Sequence, residues 1–279
     1  MCPPEVIEWT RIKGFCYFKA STDQLFTDLD INDLINILGS DRIDGIEKMK
    51  RKRLYVIGAE NDEVIKSWTL FSTLYAEIIE DERTYILNDS QWYCVEKNYS
   101  YEVHREFDTN WRETVEVALP SIDVDEDEGA YNDRVARENQ NLLKFDRDNI
   151  NYGGGRSSIE VCDLYDKSNN EFIHVKKADG SSVLSHLFMQ GTNSGELISA
   201  DQRFRALLEQ KMKSKDSSLV VPDSESSTIS FALTPKKNKE TVDYVPFFSK
   251  ITANTAFKRL KAYKYKVRFI KIRRSTNTH

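Results

Sequence analysis

Apolar and polar residues change places with two different periods along this chain. In the first half, short apolar runs predict strands at Phe15-Cys16-Tyr17-Phe18, Leu54-Tyr55-Val56-Ile57, Tyr85-Ile86-Leu87 and Trp92-Tyr93-Cys94-Val95. Asn88-Asp89-Ser90 supplies the turn residues that join the last two as a hairpin. A helical period predicts a short helix over 30–38, with Leu34, Ile35 and Leu38 inward, and a further helix over 99–111. Residues 61–79 carry Val64, Ile65, Trp68, Phe71, Leu74, Tyr75 and Ile78 at spacings that fit a buried helix. Pro120 opens a polar, acidic stretch, which places a boundary near residue 118 between an N-terminal α+β region, 1–118, and a second domain, 119–279.

The second half repeats the alternation on a larger scale. A helix is predicted over 130–143 with Tyr131, Val135 and Leu142 on one stripe. Strands follow at 159–164 and 172–177, closed by the turn cluster Lys167-Ser168-Asn169-Asn170. Leu184, Leu187 and Phe188 stand at i, i+3, i+4 in a helix over 182–190. A second helix covers 199–212, with Ser199 and Gln202 as a capping box, and 213–227 reads as a polar loop. Strands at 228–234 and 266–272 flank a helix at 251–263. The sum is an α/β (α+β) fold, a mixed central sheet with flanking helices. Tyr152-Gly153-Gly154-Gly155-Arg156 has the spacing of neither a Walker A loop nor a dinucleotide fingerprint, and is read as a tight turn.

Composition narrows the class. The chain has 279 residues, 39% hydrophobic and 30% charged, as expected of an ordinary soluble protein. No apolar run approaches the ~20 residues of a membrane helix and no signal-peptide core is present, so a cytoplasmic location is expected. The four cysteines, Cys2, Cys16, Cys94 and Cys162, form no C-x-x-C pair, which argues against a zinc knuckle or a disulfide framework. A net charge of −5 argues against a uniformly basic nucleic-acid binder. The charge is uneven, however. Asp243 is the last acid, and the basic residues after it, Lys250, Arg273 and Arg274 among them, form a cationic end, while 123–128 is an acidic cluster.

The candidate chemistry lies within 159–190. On the strand at 172–177, His174 and Lys176 share a face, and a hairpin partner carrying Asp163 can meet them across the ladder. Glu160 points away from Asp163 on an ideal strand, so a single acid aims at the site unless a bulge intervenes. Asp163 is favoured. This acid and x-Lys arrangement resembles the hairpin of the restriction-endonuclease-like PD-(D/E)XK nucleases. The resemblance implies a restriction-endonuclease-like core in the C-terminal half. It assigns Asp163 to a divalent metal, Mg²⁺, and Lys176 to the attacking water, with His174 standing where the second acid is expected. His174 is left as a metal ligand, a general base or a phosphate donor. The family's first helix often supplies a Glu near the metal, for which Glu128 is the match here, and a Gln on the helix after the Lys strand matches Gln190. Ser182, Ser185 and His186 at the start of that helix are expected to seat a phosphate.

A second resemblance is carried by Ile159-Glu160-Val161-Cys162-Asp163, His174-Val175-Lys176, Ser185-His186-Leu187-Phe188-Met189-Gln190-Gly191 and Pro246-Phe247-Phe248-Ser249-Lys250. These segments are similar to those of a sporadically distributed bacterial family of unknown function, over roughly 55–272, whose members extend further at the N-terminus. Such a distribution resembles that of mobile defence genes. Together the two resemblances imply a Mg²⁺-dependent nuclease in bacterial defence, with nucleic acid, DNA before RNA, as its partner. Asp163 with Glu160 or Glu128 would hold the cation, and Lys250, Arg273 and Arg274 would contact phosphates. The alternatives are an inactive nucleic-acid-binding module and an interaction subunit, alone as a homo-oligomer or with a defence partner.

Overall fold

The structure is a computed structural model that describes residues 1, 4, 12–17, 25–26, 29, 31–39, 45–58, 62–112, 119–123, 125–146, 148–151, 158–178, 181–235 and 245–275. The expected turn at 152–156 and the expected boundary near 118 fall outside these residues. Contacts divide the chain into two units, one of Met1–Glu102 with Gly180–Ser182 and one of Val103–Asp179 with Val183–His279.

In the first unit, strands β1 (Ile12–Cys16), β2 (Arg53–Gly58) and β3 (Val64–Thr69) form an antiparallel sheet in the order β1-β2-β3. Helices α1 (Ile31–Leu38) and α2 (Ile46–Arg51) lie between β1 and β2 in the chain. Phe15, Leu34, Leu54, Trp68 and Leu70 make the core, with Phe15 and Trp68 ring centroids 6.3 Å apart. A second antiparallel sheet, β4 (Ala76–Glu80), β5 (Arg83–Asn88) and β6 (Gln91–Val95), keeps the order β4-β5-β6. Asp89 (φ 45°) and Ser90 (φ 66°) adopt the left-handed backbone that a tight hairpin with right-twisting strands requires. Helix α3 (Lys97–Arg112) follows, its residues from Val103 on belonging to the second unit.

The expected helix over 61–79 is instead β3, a 3₁₀ turn at Phe71–Thr73, and β4. Its apolar residues are mostly β-branched or aromatic, which suits a pleated surface, and a helical spacing count does not weigh that preference. The burial differs accordingly. Trp68 and Phe71 are buried, whereas Val64, Ile65 and Ile78 are exposed.

The second unit is built on one mixed five-stranded sheet, β13-β12-β11-β10-β7. Helix α4 (Glu128–Glu138) leads into β7 (Leu142–Lys144), which pairs antiparallel with β10 (Leu164–Asp166), and β10 pairs antiparallel with β11 (Glu171–Ala178). A small antiparallel ladder, β8 (Ile150–Asn151) with β9 (Ser158–Ile159), is inserted between β7 and β10. Helices α5 (Ser181–Ala200) and α6 (Gln202–Lys215) then carry the chain to β12 (Thr228–Pro235), parallel to β11. Helix α7 (Phe247–Ala262) carries it to β13 (Lys266–Lys271), parallel to β12.

Alternation along β11 sorts the two faces. Ile173 and Val175 join Tyr131 and Val135 of α4, while Phe172 joins Leu184, Leu187 and Phe188 of α5 together with Phe231 and Phe269. Both faces of the central strands are covered, which is why these strands read as apolar runs. Each fully buried large side chain contributes roughly 1.5–3 kcal/mol. The helix expected over 130–143 ends at Glu138, since Asn139 leaves the helical conformation and Leu142 enters the sheet. The capping residue of α6 is Asp201, whose carboxylate accepts from the Phe204 amide at 2.9 Å, and not Ser199.

Candidate metal centre

The path of the chain through Asp163 makes the site. Leu164 faces Ile173 in the β10–β11 register, and the Asp163 amide also donates to the Ile173 carbonyl, at 3.0 Å. Two successive residues thus address one partner, as in a β-bulge. The next ladder bond is taken over by a side chain, because the Val175 amide donates to Asp163 Oδ2 at 2.7 Å. On the other edge, the Asp163 carbonyl accepts from the amides of both Phe145 (2.8 Å) and Asp146 (3.0 Å). This double contact ties Asp146, seventeen positions away in sequence, to Asp163.

Asp146, Glu160 and Asp163 consequently converge, each offering one carboxylate oxygen within 4.8 Å of the others, and the triad can hold a metal ion. Residues 160–163 lie outside regular strand pairing, with a bend at Asp163, so Glu160 and Asp163 are freed from the alternation that separates them on an ideal strand. Gln190 of α5 donates to Glu160 Oε2 at 2.7 Å and orients it. Lys144 Nζ stands 3.7 Å from Asp146. Asp163 is 8% exposed. Burial is the main reason its carboxyl titrates well above the usual range, reinforced by the Glu160 charge, opposed by the Val175 amide, and raised again by Asp146 and Glu128. A cation among the three carboxylates would relieve the cost of a charge on the buried Asp163.

Glu128 and Lys176 form the second half of the site. Asp127 caps α4 by accepting from the Ala130 amide at 2.8 Å, which sets Glu128 in the first turn. One Glu128 oxygen accepts from Lys176 Nζ at 3.1 Å and the other from the Lys177 amide at 3.2 Å, so the helix start is fastened to β11. His186 is pushed down to about 4, first by burial and then by the Lys176 charge, and is neutral at physiological pH.

His174 does not join them. It is 0% exposed, stacked on Phe231 with centroids 5.9 Å apart, and neither ring nitrogen has a hydrogen-bond partner. Burial holds it down to about 3, so it is a neutral core imidazole. A residue sealed in this way does not reach a ligand in the cluster; the acids that converge on Asp163 are Glu160 and Asp146. The phosphate-contact residues are dispersed as well. Lys250 is buried, its Nζ 2.9 Å from His104 Nδ1 and 5.5 Å from the centre of the Phe107 ring, and is not a surface contact. Ser185 Oγ lies 3.4 Å from Ser249 Oγ, against α7. The side chain of Ser182 falls outside the described residues. Arg273 is exposed and Arg274 half-buried, in a segment where Ile122 pairs with Arg274. Several cations of the basic end meet acids, Lys258 with Glu106 (2.8 Å) and Arg259 with Glu196 (2.6 Å).

Asp146 was hidden by the helix expected to run through 143. The available signal was Leu142-Leu143-Lys144-Phe145, a largely apolar run followed directly by Asp146.

Fold and site together define a mixed α/β protein with a carboxylate cluster, half-buried to buried, that can hold a metal ion. No helix among the described residues is long and apolar enough to cross a membrane. The family of unknown function DUF6119 matches residues 1–273, and the chain belongs to it. No curated protein and no solved structure matches the chain.

Proposed function

We propose that the second unit is a Mg²⁺-dependent nuclease acting on nucleic-acid phosphodiesters, DNA before RNA, in bacterial defence. The observation that carries this reading is the convergence of Asp146, Glu160 and Asp163, with Lys176 linked to the same cluster through Glu128. The order α4 with Glu128, hairpin β10–β11 with Asp163 and Lys176, and α5 with Gln190 agrees with the order of parts that the PD-(D/E)XK resemblance implies. The second acid of that pattern, absent at His174, is supplied by Glu160 and Asp146. The carboxylates would hold the ion, and hard oxygen donors of this kind suit Mg²⁺. When bound, Mg²⁺ supplies charge that polarises the scissile phosphate and acidifies a coordinated water. Lys176 would orient that water and balance charge growing on phosphate oxygens, and Glu128 holds the ammonium in place until substrate arrives. Gln190 keeps Glu160 turned inward.

The test is incubation of the purified chain with plasmid, single-stranded DNA and RNA in Mg²⁺, Mn²⁺ or EDTA. Cleavage that requires the cation and is lost in Lys176→Ala and Asp146→Asn is expected. One observation favours a second reading, an inactive nucleic-acid-binding module: the position of the missing acid is filled by a core imidazole. Salt-sensitive binding without cleavage under all three conditions would select it.

A further inference from the structure

We propose that the β4-β5-β6 sheet of the first unit is a docking surface for a cationic polypeptide segment with alternating apolar residues. The cross-strand register sets Ile78, Tyr85 and Cys94 in one row and Ala76, Leu87 and Trp92 in the next, all on one face of the sheet. On that face the outer strands are exposed, Ile78 by 47% and Trp92 by 53% with Cys94 exposed beside them, while Leu87 on the central strand is buried. Ile79, 71% exposed, stands on the opposite face of the outer strand β4. Among the described residues no further strand pairs with β4 or β6, so both margins of the sheet are open. A three-stranded sheet with large apolar groups in water and two open margins is the form that strand addition uses, and natural proteins otherwise blunt such edges.

Charge selects the occupant. Residues 76–102 hold seven acids against two cations, Arg83 and Lys97, a local balance of −5. Of the two cations, Lys97 is paired with Glu82, and Arg83 faces Glu80 in the register. The segment that carries the exposed Ile78 and Trp92 therefore has an excess of negative charge, which disfavours a polyanion and favours lysine and arginine. A large aromatic and an aliphatic side chain inside an acidic rim is the arrangement of an interface with an apolar centre and a charged border.

The experiment uses the full chain and a fluorescein-labelled twelve-residue peptide alternating lysine and valine, with the glutamate counterpart as control, read by anisotropy. The lysine peptide is expected to bind, more weakly as salt rises, and the glutamate peptide not to bind. Affinity is expected to fall roughly tenfold or more in Ile78→Ser/Trp92→Ser, the loss typical of an aromatic anchor. Glu80→Lys/Asp81→Asn is expected to weaken it comparably while leaving the apolar residues in place, so a fold defect in the first variant cannot carry the result. No binding of the lysine peptide, or binding by either variant as tight as that of the wild-type chain, overturns the proposal. It is also overturned if sedimentation shows a dimer of the wild-type chain that Ile78→Ser/Trp92→Ser converts to monomer, since a second copy is then the occupant.

Discussion

Asp163→Asn separates the structural and metal-binding roles of the carboxylate cluster. The carboxamide retains an oxygen that can accept from the Val175 amide, so the side-chain substitute for the missing ladder bond survives. What is lost is a buried negative charge packed against Glu160 and Asp146. Leaving such a charge uncompensated costs several kcal/mol in principle, and its removal is expected to stabilise the metal-free protein at pH 8 by on the order of 1–3 kcal/mol. The sign with pH follows from linkage. Burial raises the folded carboxyl above its unfolded value of about 3.9, so the stabilising protonated form is fully present below that value and is lost as pH rises through the folded value. Substitution therefore helps more at pH 8 than at pH 5.

Metal bound as proposed is expected to reverse the order. With Mg²⁺ at about a hundred times its dissociation constant, the wild-type chain is expected to gain about 2.7 kcal/mol and, at roughly 2–4 °C per kcal/mol, its midpoint to rise by on the order of 5–10 °C. Asp163→Asn, lacking one ligand, is expected to show little of that rise. Thermal scans of both proteins at pH 5 and pH 8, with MgCl₂ and with EDTA, read all four quantities. An equal Mg²⁺ shift in wild type and variant would refute the assignment of Asp163 as a ligand. A metal-free variant less stable than wild type at pH 8 would refute the claim that the buried charge is costly.

Other perturbations test the surroundings. His174→Phe replaces two unpartnered buried nitrogens with ring carbons beside Phe231; it is expected to raise unfolding free energy by about 1–3 kcal/mol, read by urea titration, and to leave cation-dependent cleavage intact. Because the folded imidazole titrates near 3, well below its unfolded value, the wild-type stability it supports is present above about pH 6.5 and declines as pH falls below it; the variant should show a smaller loss between pH 6.5 and 5. Gly191→Ala places a methyl 2.5 Å from Phe231 Cε1 and 3.1 Å from His174 Cδ2, and should cost about 1–3 kcal/mol by overpacking, measured as a lower denaturation midpoint. Glu128→Gln removes the anion that holds Lys176; cleavage should fall while the Mg²⁺-induced thermal shift is largely kept, which distinguishes a residue positioning the lysine from a metal ligand.

The parts legible in the sequence were those set by local rules. β5–β6 with its Asn88-Asp89-Ser90 turn, β11, β12 and β13 stand where apolar runs and turn residues put them, because their signals are dense within a few residues. The stretch at 61–79 was illegible to periodicity, since a short apolar run has similar spacing on a helix and on two strands, and pairing with the neighbouring strands β2 and β5 decided the outcome. The site divides in the same way. Asp163, Lys176 and Gln190 lie within one local stretch that strand alternation and helical spacing single out, whereas Glu160, which alternation turns away from Asp163, reaches it through the irregular chain at 160–163. Asp146 and the burial of His174 depend on long-range facts, the double acceptance by the Asp163 carbonyl and the cover provided by α5 at Gly191, where a side chain as small as a methyl would strike Phe231. The same strand alternation places His174 and Phe172 toward α5 and leaves Ile173 and Val175 toward α4. Sharing a face with Lys176 therefore did not put the imidazole in the site: the covering helix seals position 174, while at position 176 the lysine is long enough to reach Glu128. Side-chain length and the helix overhead, neither of which spacing records, decide which of two residues on one face of a strand can do chemistry.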